Sequence, residues 1–406
     1  MRRLLLVLLA VALGTVSGAC RGCDPTSAAA TTASDAGAVI FDAAAEGRPS
    51  RSGATGVARA VVDAEPFRVR ARVPAIGWAA VGRELQLTGA VGRAEVERSS
   101  PATDTTAFEA ASIAKTIVAT CVLQLVEEKR VSLDADISQY IGFTVRHPAH
   151  RGPITLRHLL THTAGIADLD ETRAPGTIGL GDFLAAYFKD GGTRGVFFDA
   201  GPGTMRAYSN VGPSLAALAV ERVTGTRFGE RARSHVFEPL GMRSSAFGRA
   251  NLSSKTAVAA PYTSRGGSFV ALPPPSHALY PVVDLFSTPH DLARFARAIL
   301  RSGELDGVRV LSPASVEEML RVQFPEAAPD DALGWQRRTF DGRRVVGHEG
   351  EDAGASTGLY LDMTSRTGAI VLANGDAFQS DDATRAVALA DLVTQLLAIA
   401  RTSAER

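Results

Sequence analysis

The sequence predicts an α/β fold of the α+β kind: an antiparallel sheet formed from both chain ends, flanked by helices, with an inserted, mostly helical subdomain. Strand patterns lie near both ends of the chain, and helical patterns fill the middle. With 406 residues, of which 45% are hydrophobic and 21% charged, the chain can also bury a large core.

A β-hairpin is predicted near the amino end of the folded part. Residues 74–81 and 84–91 have strand composition, and Gly82 and Arg83 between them favour a tight turn. These two strands supply the first part of the expected sheet.

The first long helix is predicted over residues 112–130, with Ser112 at its amino end. Apolar residues recur at helical spacing over a wide arc, so the helix should be largely buried. Cys121 lies within it and fits a buried, inert thiol. The apolar positions are Ile113, Ile117, Val118, Cys121, Val122, Leu125 and Val126.

Helices continue to about residue 320, separated by loops rich in proline and glycine. Residues 211–224 form a helical pattern that Gly225 ends, and residues 273–275 are three consecutive prolines. This region is the expected helical subdomain.

Three strand patterns and a helix follow towards the carboxyl end. The strands are predicted at residues 343–348, 358–362 and 368–373. The helix carries its apolar face on Leu389, Leu392, Val393, Leu396 and Leu397.

The amino-terminal segment has the three parts of a secretory signal, so residues 1–19 are expected to direct export to the periplasm or cell surface. The apolar run of residues 4–13 is too short to span a bilayer. Small residues before Cys20 are typical of a bacterial lipoprotein, in which that cysteine is lipidated; simple cleavage near Ala19 is the alternative. Residues 20–65 should form a flexible tether, and residues 66–406 the folded domain.

The net charge is zero, from 43 basic and 43 acidic residues, which gives no electrostatic basis for binding nucleic acid or an anionic membrane surface. Three cysteines are too few for a disulfide framework or a four-cysteine zinc site. We therefore expect neither a metal nor a cofactor, and the ligand has to be identified from local motifs.

Ser112 and Lys115 form a possible nucleophile and base. Residues three apart lie on one helix face, so the Lys115 amine can reach the Ser112 hydroxyl. The amino end of a helix also offers free N–H groups and a positive dipole to an oxyanion. Alone, this pair is weak evidence for catalysis.

Further motifs strengthen this interpretation. They are residues 108–116, 154–165, 202–210, 287–295 and 347–350. In their order and spacing these segments resemble the penicillin-recognising serine hydrolases, and among those the class C β-lactamases, D,D-peptidases and related esterases. The resemblance covers roughly residues 70–400.

The resemblance implies roles for individual residues. Ser112 would be acylated, while Lys115 and Tyr208 would share the proton transfers as a coupled pair. Asn210 would bind the substrate, although its position before a helix also fits an N-cap. The strand with His348, Gly350 and Glu351 would line the site, and the N–H groups of Ser112 and Glu351 would form the oxyanion hole.

Two departures from the β-lactamase pattern bear on the substrate. His348 stands where those enzymes usually have lysine, and a histidine is mostly neutral at pH 7. Glu351 adds a negative charge that would disfavour anionic substrates if its side chain points inward. Both favour an esterase-like or peptidase-like activity over an efficient β-lactamase.

Other interpretations remain open at this stage. Residues 354–358 have the nucleophile-elbow spacing around Ser356, but a strand pattern follows where a helix is required, which favours a turn. His158 and His162 are four apart on a predicted helix and could ligate zinc, although packing or capping fits them better. The chain could also bind a cell-wall fragment or penicillin without turnover, as a sensor or scaffold.

Overall fold

The computed structural model describes residues 62–189 and 195–404, and the predicted fold class is confirmed. The predicted signal of residues 1–19, Cys20 and most of the predicted tether lie outside the described residues. Within the described chain the helices are α1 (Glu65–Ala71), α2 (Ala114–Glu127), α3 (Ser138–Ile141), α4 (Leu156–Leu160), α5 (Leu180–Tyr187), α6 (Val211–Thr224), α7 (Phe228–Ala232), α8 (Pro289–Leu300), α9 (Pro313–Leu320) and α10 (Ala383–Ala404).

The strands form one large sheet and three small ones. The described strands are β1 (Ala75–Gly82), β2 (Gln86–Glu95), β3 (Ser100–Pro101), β4 (Phe108–Glu109), β5 (Ala246–Phe247), β6 (Tyr262–Arg265), β7 (Ser268–Ala271), β8 (Leu285–Ser287), β9 (Glu304–Leu305), β10 (Val308–Arg309), β11 (Gln336–Phe340), β12 (Arg343–Asp352), β13 (Ala355–Asp362) and β14 (Thr367–Ala373).

The large sheet joins the two ends of the chain. Its order is β11-β12-β13-β14-β1-β2-β3, and its pairs are antiparallel. The central strand is β14, which pairs with β1 so that Trp78 lies opposite Val371. The turn between β1 and β2 has two residues as predicted but is shifted by one position: the Gly82 N–H bonds to the Leu85 carbonyl, so Arg83 and Glu84 form the turn in place of Gly82 and Arg83.

Helices cover both faces of this sheet. On one face α10 packs against β1 and β14 through Leu389, Leu392 and Leu396, which are fully or almost fully buried. Although α10 is long and apolar enough to cross a membrane by length and composition, these contacts make it a core helix. The other face receives α8, whose Leu292 and Phe295 are fully buried.

The helical subdomain is centred on α2. Each residue from Ala114 to Leu125 is buried, so this helix is surrounded by protein on all sides. It packs against α6, α7 and α9. A charged residue of α2, Lys115, is buried along with the apolar ones.

The sheet and the subdomain meet beside the amino end of α2. Pairing of β11 with β12 ends at Gly347, so the remainder of β12 is free to run along the 3₁₀ turn Ala111–Ile113. A Cβ at Gly350 would lie 2.4 Å from the Ala110 carbonyl oxygen, which is closer than real Cβ contacts. Glycine at position 350 therefore permits the close approach of β12 to the turn.

Candidate active site

Ser112 lies in a strained turn at the entrance of α2. The preceding residue, Ala111, adopts a φ of 46°, a conformation that costs energy for any residue with a Cβ. Ser112 itself is 7% exposed. The sequence predicted a simple helix start here; the structure instead has a 3₁₀ turn that orients the hydroxyl before the α-helix begins at Ala114.

Lys115 is fully buried, and its ammonium group has three acceptors. Nζ donates to Ser112 Oγ over 2.7 Å, to Asn210 Oδ1 over 2.8 Å and to the Val282 carbonyl over 3.2 Å. An ammonium carries three N–H donors, so each donor has a partner. These contacts join α2, the start of α6 and the segment before β8.

Tyr208 lies on the other side of the serine. Its Oη is 3.1 Å from Ser112 Oγ, and Lys115 Nζ is 5.2 Å from the centre of its ring. The side chain is 40% exposed, which excludes a purely buried packing role. The structure therefore brings Ser112, Lys115 and Tyr208 into direct contact across 96 residues of sequence.

Asn210 stands immediately before α6, but its side chain makes no capping hydrogen bond there. Its Oδ1 accepts a hydrogen bond from Lys115 Nζ instead, and the carboxylate of Asp168 caps the amino end of α6. The Asp168 carboxylate accepts the N–H of Asn210 over 2.7 Å and that of Val211 over 3.2 Å. It also accepts the Ser209 hydroxyl over 2.6 Å.

Asp168 thus fixes the segment that carries Tyr208 and Asn210, and the sequence analysis missed it. An acidic side chain stabilises the amino end of a helix, but the sequence reveals such a pair only when the two are close along the chain. Asp168 is 42 residues away from Asn210, and local pattern gives no signal for that contact.

The ring of His162 packs against the ring of Tyr208. The two ring centres are 4.3 Å apart, the His162 Nδ1 accepts the Ser209 N–H over 3.2 Å, and its carbonyl accepts the Ala207 N–H over 2.8 Å. Burial lowers the pKa of His162 well below its usual range, and the charge of Lys115 lowers it further. The ring is therefore neutral.

The zinc interpretation of His158 and His162 is wrong. His162 lies beyond the end of α4 with a φ of 56°, so the two rings do not share a helix face. His158 forms a capping box with Thr155. Among residues 62–189 and 195–404, no group of three ligands could hold a metal ion.

His348 lies on the part of β12 that faces the nucleophile turn and is 3% exposed. Its Nδ1 is 2.6 Å from the Glu349 carbonyl oxygen. Burial, with a further contribution from Lys115, lowers the pKa of His348 to about 3. The imidazole is therefore neutral at physiological pH, as the sequence predicted for a histidine here.

Glu351 points away from Ser112. Side chains alternate along a strand, so Glu351 shares a sheet face with Glu349, which contacts Tyr360 on the side covered by α10. Gly350 lies on the opposite face, against the nucleophile turn. The Glu351 side chain is exposed, and partial burial and the neighbouring carboxylates raise its pKa.

A group of acidic side chains flanks the end of β12. Burial and the neighbouring Asp352 raise the pKa of Glu109 well above its usual value. His277 bridges two of these carboxylates, with Nδ1 2.5 Å from Asp284 Oδ1 and Nε2 3.4 Å from Asp352 Oδ2. Asp284 is thereby held inside the protein, beside the segment whose Val282 carbonyl contacts Lys115.

Ser356 has no place in this site. It is fully buried in β13, where its Oγ accepts the Phe378 N–H over 3.0 Å. The turn before it consists of Ala353 and Gly354 alone, so most of residues 354–358 are strand instead of the predicted turn. Ser356 is followed directly by the rest of β13 and then by β14, where a nucleophile elbow requires a helix, so this segment is not one.

Comparison with known proteins identifies relatives over most of the chain. The family model described as Beta-lactamase matches residues 41–394. Penicillin-binding protein 4 of Amycolatopsis lactamdurans is 30% identical over 285 residues, covering 66% of this chain and 72% of that protein. Esterase EstB of Burkholderia gladioli is 32% identical over 195 residues, covering 45% of this chain and 49%, about half, of the esterase.

Solved structures share the fold. The octameric penicillin-binding protein homologue from Pyrococcus abyssi superposes with a TM-score of 0.68 at 24% identity, covering 80% of this chain and 75% of that one. The D-amino acid amidase from Ochrobactrum anthropi SV3, complexed with L-phenylalanine amide, gives a TM-score of 0.67 at 20% identity. The match covers 83% of this chain and 97% of the amidase.

The low pKa of His348 predicts a specific acid sensitivity of the fold. The unfolded chain takes up a proton near pH 6.5, whereas the folded chain does so only near pH 3, so stability is lost as the pH falls below 6.5. Between pH 6.5 and 4.5 this one group should remove about 2 kcal/mol from the free energy of unfolding.

Urea unfolding at both pH values checks this. Between pH 6.5 and 4.5 the free energy of unfolding of His348→Gln should fall by about 2 kcal/mol less than that of the wild type, because the variant lacks the titrating imidazole. The exposed His150→Gln variant serves as the control and should keep the wild-type loss. Equal losses in all three proteins would contradict the neutral, buried imidazole.

Proposed function

The chain belongs to the beta-lactamase family and is a serine hydrolase, and from this premise we propose that it cleaves an ester or amide through an acyl-enzyme on Ser112. The observation that carries the proposal is the contact of Ser112 Oγ with two proton-transfer groups. Lys115 Nζ is 2.7 Å away, and Tyr208 Oη is 3.1 Å away.

In the proposed reaction, one member of the pair of Lys115 and Tyr208 first gives up a proton to solvent and becomes the base. Ser112 Oγ then attacks the substrate carbonyl carbon while its proton passes to that member. The tetrahedral intermediate collapses, its carbon–leaving group bond breaks, and the pair returns the proton to the leaving alcohol or amine. Water then attacks the acyl carbon while the pair accepts a proton from it; the bond between the acyl carbon and Ser112 Oγ breaks, the pair returns the proton to Oγ, and the carboxylic acid product leaves.

The oxyanion would be stabilised by the N–H groups of Ser112 and Glu351. Ser112 lies at the amino end of α2, where N–H groups point away from the helix and the dipole favours negative charge. Glu351 belongs to the part of β12 that extends beyond the pairing with β11. Because only its backbone is needed, the outward direction of the Glu351 side chain is compatible with this role.

Asn210 would help to position the substrate and the lysine together. Its amide has an Oδ1 committed to Lys115, which leaves the two amide N–H donors for a substrate carbonyl. Such a contact is supported by the location of Asn210 beside Tyr208 at the start of α6.

The proposed substrates are esters or amides of small molecules or peptides. Relatives named as a penicillin-binding protein and an esterase support this range, and a D-amino acid amidase shares the fold. A neutral His348 favours them over β-lactams, which carry a carboxylate that a lysine would bind.

Covalent labelling tests the nucleophile. A fluorophosphonate probe should add one adduct mass to the wild type and none to Ser112→Ala, while Ser356→Ala, the matched control, should label like the wild type. Intact-mass spectrometry provides the measurement. Labelling that persists in Ser112→Ala and disappears in Ser356→Ala would overturn the proposal.

We further propose that the enzyme is exported and attached to a membrane through a lipid on Cys20. The positively charged start, the apolar run and the small residues before Cys20 support this. On expression of the full chain in bacteria with a radiolabelled fatty acid, the wild type should carry label in the membrane fraction. Cys20→Ser should lose the label and Cys23→Ser should retain it; an unlabelled wild type would refute lipidation.

A further inference from the structure

His277 contacts two carboxylates that belong to different segments of the site. Its Nδ1 lies 2.5 Å from Asp284 Oδ1, and its backbone N–H donates to Asp284 Oδ2 over 3.0 Å. On the other side of the ring, Nε2 lies 3.4 Å from Asp352 Oδ2. His277 therefore connects the end of β12 with the segment before β8.

The carboxylate of Asp352 lies at the end of β12, directly after Glu351. Beyond Gly347, the described part of β12 pairs with β13 but not with β11, so one edge of this strand end has no strand beside it. One oxygen of Asp352 accepts the N–H of Ala353 over 2.7 Å, and the other faces His277. The contact with His277 therefore restrains the strand end that carries the Glu351 N–H.

The carboxylate of Asp284 is fixed within the protein, where it is 4% exposed. The backbone N–H of Asp284 donates to the Tyr280 carbonyl over 3.0 Å. Between these two residues, the Val282 carbonyl accepts Lys115 Nζ. His277 thus ties the end of β12 to the segment that also holds the buried lysine.

Hydrogen-bond chemistry requires the His277 ring to be charged in this arrangement. An ionised carboxylate can only accept, so a neutral ring would present a lone pair to one of its two partners, whereas an imidazolium offers an N–H to each. Burial lowers the pKa of His277, but the hydrogen bond and charge of Asp284 and the charge of Asp352 raise it more, so this pKa lies above its usual value. Pro175 and Gly176, which contact the same segment, carry no charge.

We propose that His277, as an imidazolium, is a positioning residue that holds the end of β12 so that the Glu351 N–H points at the oxyanion during acylation. The inference rests on the proposed function and adds to it a residue that acts through Glu351. Without the bridging charge, the carboxylates of Asp284 and Asp352 would repel each other and the strand end would move. Such a displacement slows the reaction because an oxyanion donor must lie about 3 Å from the developing charge.

A pair of oxygen and sulfur esters reports on the oxyanion hole. In p-nitrophenyl thionoacetate, sulfur replaces the carbonyl oxygen of p-nitrophenyl acetate, and sulfur accepts hydrogen bonds more weakly. The acylation rate constant of each ester, from pre-steady-state release of p-nitrophenol, is divided by its rate constant for alkaline hydrolysis. The oxygen-to-sulfur ratio of these two values should be at least about ten in the wild type.

Two substitutions of His277 test the role of its charge. His277→Gln keeps a polar side chain without a charge and should lower the oxygen-to-sulfur ratio at least about threefold, whereas His277→Lys supplies a cation and should restore it. The matched control is His290→Gln, because His290 contacts one carboxylate, that of Asp291 at 3.3 Å on α8, and this variant should keep the wild-type ratio. An unchanged ratio in His277→Gln, or an equal fall in His277→Gln and His277→Lys, would overturn the inference.

The pH dependence of the wild type is a second test that needs no substitution. The imidazolium is present below the pKa of His277 and is lost as the pH rises through it, so the oxygen-to-sulfur ratio should fall with rising pH. Titration of Lys115 and Tyr208 cancels in the ratio because both esters use the same base. In His277→Lys the ratio should stay level up to about pH 9. A level ratio in the wild type between about pH 6 and pH 9 would contradict the proposal.

The Ser112→Ala variant separates this result from the proposed function. If release of p-nitrophenol depends on Ser112 but its oxygen-to-sulfur ratio does not respond to His277, the positioning role is wrong while the acyl-enzyme stands. If release persists in Ser112→Ala, the proposed function itself is wrong.

Discussion

The burial of one positive charge organises this molecule. A fully buried ammonium is costly unless its donors are satisfied, and Lys115 meets that condition through acceptors from three separate segments. Removal of any one acceptor would leave a buried donor unpaired. The nucleophile on α2, the start of α6 and the segment before β8 are therefore held in one arrangement by the same group that is proposed to move the proton of Ser112.

The backbone around the catalytic groups is strained, and β12 approaches it closely. Ala111 and His162 both adopt positive φ values, one before the nucleophile and one beneath Tyr208. Such conformations persist only where the surrounding packing holds them, and Gly350 lets β12 close against the first of them. The packing that holds these strained residues keeps the hydroxyls of Ser112 and Tyr208 directed towards each other.

The sequence predicted the sheet from both chain ends, the buried helix behind Ser112 and the proximity of Lys115, because each depends on local periodicity or on helical spacing. Tyr208, Asn210 and His348 required ordered motifs, since no local rule connects residues so far apart. Asp168, the tilt of His162 under Tyr208 and the outward direction of Glu351 could not be predicted. They depend on tertiary contacts and on strand pairing, for which the sequence alone carries no register.

The central claim is that Lys115, through its contact with Ser112, drives formation of the acyl-enzyme. Pre-steady-state release of p-nitrophenol from p-nitrophenyl acetate measures the acylation rate constant directly. In Lys115→Met, with secondary structure retained by circular dichroism, the account predicts a fall of about 10²- to 10⁴-fold in this rate constant. An acylation rate constant within about threefold of the wild type would contradict it.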